Sequence, residues 1–261
     1  MLISARGVRI NVSDRGAGDP VVFLHGVGCS ARSWEKQLEA LAATRRVVAV
    51  DTRGHGLSDR TYGRMSLQDY ADDVLAVMSE LGISSAPIVG ISMGGMVAQT
   101  MALTAPGRVS SLLLADTCAR ADPEMAAGMK AVGSLALTSG MKAAAESVKP
   151  ATFCAAAIAE NRPHVRDFEE QFCATDPLTF SIAMDALAGL DVLDGLARIT
   201  APVLVLIGAE DVLTPLVYAK AIASAVPGAE LRVIERAGHL SNLDEPEAFT
   251  DHLVRFLDQA G

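Results

Sequence analysis

Residues 90–94, with the sequence Gly-Ile-Ser-Met-Gly, place a serine between two glycines at a spacing that suits a nucleophile. An apolar run, residues 86–90, comes before the serine, and an alanine-rich helical pattern follows it. A sharp turn from strand to helix lifts one side chain above a sheet, and the glycines allow backbone approaches that a Cβ would block. The helix N-terminus also favours negative charge beside that side chain. We therefore predict that Ser92 is a nucleophile and not part of a plain turn.

A serine hydroxyl is a poor nucleophile until a base removes its proton, and the sequence offers five histidines. His239 comes after Ser92 and directly follows the last apolar run, at the edge where ligands bind in open α/β sheets. His252 lies in the terminal helical pattern, and His164 lies in a long helical region. His55 follows an earlier strand in a glycine-rich loop, and we favour a buried structural role for it over catalysis. The predicted general base is therefore His239.

A histidine base needs a carboxylate that holds its tautomer and stabilises the imidazolium. Asp211 and Asp116 each follow an apolar run of strand length, so both carboxylates are candidates for this role. We predict Asp211 as the acid, and Asp116 stays open as its competitor. Asp244 and Glu245, which follow His239, are predicted to lead into the cap of the final helix.

Acyl transfer also needs two backbone N–H groups aimed at the oxyanion that develops. One is predicted to be the N–H of Met93, directly after the nucleophile. The other should come from the glycine-rich loop at residues 25–28, which follows an early strand, and we choose the N–H of Val27. The side chains of Val27 and Met93 are then expected to line the pocket.

The elements that must position these residues are short runs that are apolar on both faces, as strands of a buried parallel sheet are. Six such runs recur along the chain, at residues 20–24, 46–50, 86–90, 109–115, 202–207 and 230–234. Helical patterns separate them, and this alternation predicts a single α/β domain. An alternating stretch at residues 7–14 followed by a turn at 15–20 predicts an edge hairpin.

One long region, residues 116–199, interrupts this alternation because it contains no strand-like run. An all-helical insert between two strands of a sheet must lie outside that sheet, although long crossover helices are an alternative. We predict an α/β core at residues 1–117 and 199–261 and a helical cap at residues 118–198, placed over the carboxyl edge of the sheet.

Composition narrows the classes of partner. The 261 residues carry a formal net charge of −9 without a lysine or arginine cluster, which argues against nucleic acid or an anionic membrane as a partner. No signal-like segment opens the chain and no apolar run approaches the roughly 20 residues of a membrane span, so we expect a cytoplasmic protein. No metal-ligand spacing or disulfide framework is apparent among the four cysteines: Cys29, Cys118, Cys154 and Cys173.

These motifs together resemble the α/β-hydrolase superfamily across the chain outside the predicted cap. The similar segments are residues 25–28, 51–58, 90–95, 208–215 and 238–239. Within the superfamily, residues 174–177, 186–196 and 237–249 most resemble bacterial 3-oxoadipate enol-lactonases. The resemblance implies a mostly parallel central sheet flanked by helices, with the helical cap inserted before the strand that carries the acid. It also implies hydrolysis of a small anionic enol-lactone without a metal or organic cofactor.

The leading functional hypothesis is a carboxylic ester hydrolase or lactonase that acts on a small molecule through an acyl-enzyme on Ser92. A cofactor-free haloperoxidase or perhydrolase with the same three residues is an alternative, and so is a binding protein of the fold without turnover. An anionic substrate would need nearby positive charge, so we expect at least one cation of the cap region to reach the pocket. The candidates are Arg120, Lys130, Lys142, Lys149, Arg162 and Arg166.

Overall fold

An eight-stranded sheet forms the centre of the computed structural model, which describes residues 1–260. The strand order is β1-β2-β4-β3-β5-β6-β7-β8, and all neighbours from β4 to β8 are parallel. The predicted mostly parallel sheet with flanking helices is therefore confirmed. The strands are β1 (Leu2–Ala5), β2 (Val8–Arg15), β3 (Pro20–Leu24), β4 (Arg46–Val50), β5 (Ala86–Ile91), β6 (Val109–Ala115), β7 (Val203–Gly208) and β8 (Glu230–Ile234).

Ten α-helices cover the two faces and the carboxyl edge of this sheet, and none of them within residues 1–260 is long and apolar enough to cross a membrane. They are α1 (Glu35–Leu41), α2 (Leu67–Glu80), α3 (Met93–Thr104), α4 (Pro123–Thr152), α5 (Ala155–Ala159), α6 (Pro163–Ala174), α7 (Pro177–Ala188), α8 (Leu216–Ala225), α9 (Ser241–Asp244) and α10 (Pro246–Ala260).

The central strands are apolar on both faces because helices pack on both sides of them. Every residue of β7 is buried, whereas β8 at the edge of the sheet has a mixed pattern of exposure. Two apolar clusters result, one on each side of the sheet, and together they hold most of the buried side chains. This double burial explains why continuous apolar runs, and not alternating ones, mark the strands.

The predicted edge hairpin exists, but its turn is at a different place. The hairpin joins β1 to β2 through Arg6 and Gly7, both of which have positive φ angles. Residues 16–19 instead connect β2 to β3, while β2 pairs antiparallel with β4. The prediction was wrong because β1 has only four residues, too few to give an alternating pattern of its own.

The long insert between β6 and β7 is entirely helical in its regular elements and consists of α4 to α7. Helix α4 packs along α7 and α6, and Gly140, with a φ of 85°, breaks its helical path. The insert before the strand that carries Asp211 is confirmed. The boundary of a separate cap at residues 118–198 stays a prediction.

Candidate active site

Ser92 occupies the sharp turn between β5 and α3 with a φ of 53° and a ψ of −119°. This region of backbone conformation is strained for a residue with a side chain, at a cost of about 1–3 kcal/mol. The flanking glycines make the turn sterically feasible. A Cβ on Gly90 would lie 2.3 Å from the carbonyl oxygen of Gly94, and a Cβ on Gly94 would lie 2.0 Å from that of Leu24. The two glycines therefore permit the close backbone approaches of this turn, in which Ser92 Oγ faces His239.

Three side chains that are far apart in sequence meet at the carboxyl edge of the sheet. Ser92 follows β5, Asp211 follows β7, and His239 follows β8. The Nε2 atom of His239 lies 2.8 Å from Ser92 Oγ, and its Nδ1 atom lies 2.9 Å from Asp211 Oδ2. All three side chains are buried. In the neutral tautomer that fits these distances, Nδ1–H donates to Asp211 and Nε2 accepts from the Ser92 hydroxyl.

The carboxylate of Asp211 is held by its own loop as well as by His239. Its Oδ1 atom accepts from the N–H groups of Leu213 at 2.8 Å and Thr214 at 2.9 Å, and its Oδ2 atom accepts from the Thr214 hydroxyl at 2.7 Å. Burial alone would raise the pKa of Asp211. The charge of His239 and the hydrogen bonds from His239 and Thr214 outweigh burial and lower that pKa. Asp211 is therefore ionised at neutral pH.

The charge state of His239 predicts how activity depends on pH. Burial opposes the charged ring, but the charge and hydrogen bond of Asp211 and the charge of Asp116 outweigh burial and raise the pKa of His239 above 6.5. Only the neutral ring can accept the Ser92 proton, so kcat/KM should rise with pH and reach half its maximum above pH 6.5. Measuring kcat/KM for an uncharged ester from about pH 5 to about pH 9 tests this. A midpoint below pH 6.5 would contradict the assignment.

Asp116, the competing acid of the sequence prediction, has a different set of partners. Its Oδ1 atom accepts from the N–H of Gly208 at 2.8 Å, and its Oδ2 atom accepts from the N–H of Ser241 at 3.0 Å and the Ser241 hydroxyl at 2.5 Å. Burial, together with the nearby charge of Asp211, raises the pKa of Asp116 to about 7. Asp116 thus ties the end of β7 to the loop after His239, while Asp211 contacts the imidazole itself.

The loop after β3 lies directly beside Ser92. A Cβ on Gly26 would be 3.4 Å from Ser92 Cβ, and Val27 lines the same cavity as the serine. The N–H groups of Val27 and Met93 bond to no backbone carbonyl of residues 1–260, and Met93 is the first residue of α3. Both groups are therefore available to an oxyanion, and their joint role stays a prediction.

The expectation that the Met93 side chain lines the pocket is wrong. Met93 is fully buried in the apolar cluster between α3 and the sheet. Met96, one helical turn further on, lines the cavity in its place. Sequence spacing could not show this because the direction of the first side chain in a helix depends on how sharply the preceding turn enters it.

The site opens into a cavity of about 530 Å³ between the insert and the sheet edge, a volume typical of pockets for small molecules. Ser92 and His239 form part of its wall, and most of the remaining wall is apolar. The acidic side chains in the wall are Asp122 and Glu124. Residues 1–260 contain no group of three or more His, Cys, Asp or Glu side chains placed to hold a metal ion.

No lysine or arginine of residues 1–260 lines this cavity, so the expected cation in the pocket is absent from the described chain. Of the six candidate cations, Arg120, Lys149 and Arg162 pair with acidic neighbours, and Lys130, Lys142 and Arg166 are exposed. Arg120 binds Asp191 at 2.6 Å, and Lys149 binds Glu169 at 2.5 Å. The prediction was wrong because the helical pattern does not show which face of a cap helix meets the cavity, and the faces that carry these cations do not line it.

A family comparison agrees with this arrangement, because the alpha/beta hydrolase family matches residues 21–252. The chain belongs to the α/β-hydrolase family. The resemblance inferred from the motifs is therefore confirmed, and the match extends from the first parallel strand through the helical insert to the last helix.

Individual relatives of this α/β-hydrolase span nearly its whole length. The 3-oxoadipate enol-lactonase 2 of Acinetobacter baylyi is 29% identical over 97% of this chain and 94% of its own. The enol-lactonase of Burkholderia xenovorans LB400 has a TM-score of 0.94 at 28% identity and covers 99% of this chain and 100% of its own. A thermophilic esterase from Thermogutta terrifontis has a TM-score of 0.93 at 29% identity and covers 100% and 98%. Esterases and lactonases are thus among the similar proteins.

Asp244 has a role in the hydrolase that the sequence did not indicate. It ends α9 and is buried, and Glu245 after it leads into α10 as predicted, with its carbonyl accepting from the Phe249 N–H at 3.0 Å. Its Oδ2 atom accepts from the N–H groups of Gly238 and Cys154, both at 2.8 Å, and its Oδ1 atom accepts from His164 Nε2 at 3.0 Å. Asp244 therefore joins the loop that carries His239 to the insert. No short-range pattern marks it, because two of its partners come from a distant part of the chain.

His25 and His55 are fully surrounded by protein and lie next to each other. His25 Nε2 accepts from the N–H of Thr52 at 3.0 Å, and His55 Nδ1 lies 3.2 Å from the Thr52 hydroxyl. Burial lowers the pKa of His25, and burial together with the charge of His25 lowers the pKa of His55 to about 3. Both rings are therefore neutral, and their contacts fit the structural role that the sequence favoured for His55.

Proposed function

We propose that this α/β-hydrolase is a serine hydrolase that cleaves carboxylic esters or lactones through an acyl-enzyme on Ser92. The observation that carries the proposal is the hydrogen-bonded chain from Ser92 through His239 to Asp211 in the wall of an apolar cavity. A nucleophile, a base that it touches and an acid that orients the base are the parts that acyl transfer requires. The similarity to an esterase and to enol-lactonases supports the same class of reaction.

The reaction follows from the positions of these groups. Ser92 Oγ attacks the carbonyl carbon while its proton passes to His239 Nε2, and the N–H groups of Val27 and Met93 hold the charged oxygen. As the bond to the alcohol breaks, His239 gives its proton to the leaving oxygen. Water then attacks the acyl carbon and gives a proton to His239. When the carboxylic acid leaves, Ser92 recovers its proton, and Asp211 stays ionised throughout.

The charge of the cavity wall indicates an uncharged substrate. The wall contains Asp122 and Glu124, and no lysine or arginine of residues 1–260 is part of it. The pKa of Asp122 is lowered by hydrogen bonds from the Met125 N–H and the Tyr218 hydroxyl, so this carboxylate is charged at neutral pH. A substrate carboxylate would enter an apolar cavity without a positive partner, which is energetically unfavourable. This α/β-hydrolase therefore differs from what the enol-lactonase resemblance implied, and we do not propose 3-oxoadipate enol-lactone as its substrate.

A matched pair of esters tests both the reaction and the charge preference. The pair is p-nitrophenyl hexanoate and the mono-p-nitrophenyl ester of adipic acid, which has the same acyl length and a terminal carboxylate. We expect turnover of the hexanoate ester and a kcat/KM at least about tenfold lower for the charged ester, because its carboxylate finds no cation. Equal or faster turnover of the charged ester would contradict the proposed charge preference. Peracid formation exceeding hydrolysis in acetate and peroxide would reassign the enzyme as a perhydrolase.

A further inference from the structure

The cavity beside Ser92 has two chemically different ends. One end is closed and aromatic: Phe172 and Phe180 line it, and their side chains are 2% and 1% exposed. The other end is open and aliphatic: Val212 and Leu213 line it, and they are 66% and 37% exposed. We call these the closed end, formed by Val132, Phe168, Phe172, Phe180 and Met184, and the mouth, formed by Val212, Leu213, Pro215 and Tyr218.

The closed end lies beside residues 25–28, the loop after β3 that carries the Val27 N–H and that we call the oxyanion loop. A Cβ on Gly28 would be 2.4 Å from Cδ2 of Phe172, so the ring of Phe172 packs directly on this loop. Phe172 in turn contacts Phe180, with ring centroids 4.9 Å apart, and Phe168, with centroids 5.3 Å apart. These aromatic rings therefore form the wall of the cavity next to the loop that carries the Val27 N–H.

The mouth lies on the side of His239. Thr214 Oγ1 is 3.2 Å from His239 Nδ1, and the N–H groups of Leu213 and Thr214 both bind the carboxylate that holds the ring. Val212 and Leu213 follow Asp211 immediately, so the loop that fixes the imidazole also forms the mouth. The exposed aliphatic surface continues into α8 at Leu216 and Val217, which are 37% and 65% exposed.

The chemistry of acyl transfer assigns each end to one part of the substrate. His239 must give its proton to the leaving oxygen, so the alcohol lies on the side of the imidazole. The charged oxygen points to the N–H groups of Val27 and Met93, so the acyl group takes the remaining direction from the carbonyl carbon, away from the mouth. Resting on the proposed function, we propose that the closed end binds an apolar acyl group and that the mouth binds an apolar alcohol.

This orientation defines a substrate class, namely uncharged esters in which both parts are apolar. The closed end limits acyl size because its wall is fixed by interlocking aromatic rings and by Val132 and Met184 from α4 and α7. The mouth sets no sharp limit on the alcohol because it opens to solvent. Acyl selectivity should therefore be steep and alcohol selectivity shallow.

Two ester series separate these roles. The acyl series consists of p-nitrophenyl esters from acetate to decanoate, and the alcohol series consists of alkyl acetates followed by titration of the acid released. Val132→Phe narrows the closed end and should lower kcat/KM for the long acyl esters at least about tenfold relative to acetate. The dependence of kcat/KM on alcohol length should not change in this variant. If Val132→Phe does not fold, Val132→Leu narrows the same end by one carbon.

Val212→Ser removes aliphatic surface at the mouth. The increase of kcat/KM with the length of the alcohol should therefore become smaller by about two- to fivefold. The dependence on acyl length should not change in this variant. Leu137→Ser, an exposed leucine on α4 outside the cavity wall, is the matched control and should alter neither dependence. Reversed effects of Val132→Phe and Val212→Ser, or no effect of either, would overturn the orientation. Failure of the proposed function would give a different result. In that case Ser92→Ala would hydrolyse both ester series as fast as the unchanged protein does.

Discussion

Replacing Ser92 with alanine will lower kcat/KM for p-nitrophenyl hexanoate by roughly 10⁴- to 10⁶-fold, as losses of this size accompany removal of a serine nucleophile that acts as a unit with its base. The physical reason is that His239 then holds no hydroxyl to activate, so no acyl-enzyme can form. The change removes one buried oxygen from a strained turn, so the thermal midpoint should not fall. Steady-state kinetics and thermal unfolding of the two proteins check both statements.

Ser111→Ala is the matched control for this experiment. Ser111 is buried on β6, as Ser92 is buried after β5, but its hydroxyl has no hydrogen-bond partner within residues 1–260. Its removal should leave kcat/KM unchanged, since Ser111 does not line the cavity. Retention of more than about one hundredth of the activity in Ser92→Ala would show that another group carries the reaction.

The second large effect concerns the acid. Asp211→Asn should lower kcat on the order of 10⁴-fold, because an amide does not stabilise the imidazolium and can favour the wrong tautomer of His239. The backbone N–H groups of Leu213 and Thr214 keep an acceptor in the amide oxygen, so the loop should stay folded. Measurement of kcat on p-nitrophenyl hexanoate, with near-ultraviolet circular dichroism as the check on folding, tests this expectation.

Asp116→Asn is the matched comparison, because Asp116 is equally buried but binds Gly208 and Ser241. We expect a fall in kcat of less than about tenfold. The charge of Asp116 raises the pKa of His239, so the rise of kcat/KM with pH should shift to lower pH in this variant. The amide leaves at least one of the three hydrogen bonds unsatisfied, at a cost of about 1–3 kcal/mol in stability. A loss of kcat as large as that of Asp211→Asn would show that Asp116 acts as the acid.

The main chemistry could be predicted from the sequence because each of its residues follows a parallel strand of the sheet. Parallel strands end at one edge, so a serine, an aspartate and a histidine after three such strands must come close together. This geometric rule needs no knowledge of side-chain packing. It applies to Ser92, Asp211 and His239, and the structure places the His239 ring within hydrogen-bond distance of both Ser92 and Asp211.

The features that could not be predicted depend on contacts between distant segments. Asp244 binds the insert through Cys154 and His164, and nothing near Asp244 in the sequence marks these partners. The prediction of a cation in the pocket was wrong for the same reason. A helical pattern shows which residues share a face of a helix but not which face meets the cavity. Arg120, for example, lies next to the insert yet binds Asp191 at the surface. Reaction type could therefore be predicted, and substrate charge could not.

The covalent step on Ser92 is tested most directly by the intact mass of the protein after exposure to ethyl p-nitrophenyl hexylphosphonate. This reagent places a phosphorus centre where the ester carbonyl would be, and its serine adduct does not turn over. We predict one phosphonyl group per chain on the peptide that contains Ser92, released p-nitrophenol in equal amount, and loss of esterase activity in proportion. Ser92→Ala should gain no such mass. Full esterase activity after complete exposure, or an adduct on a different residue, would contradict the assignment of Ser92 as the nucleophile.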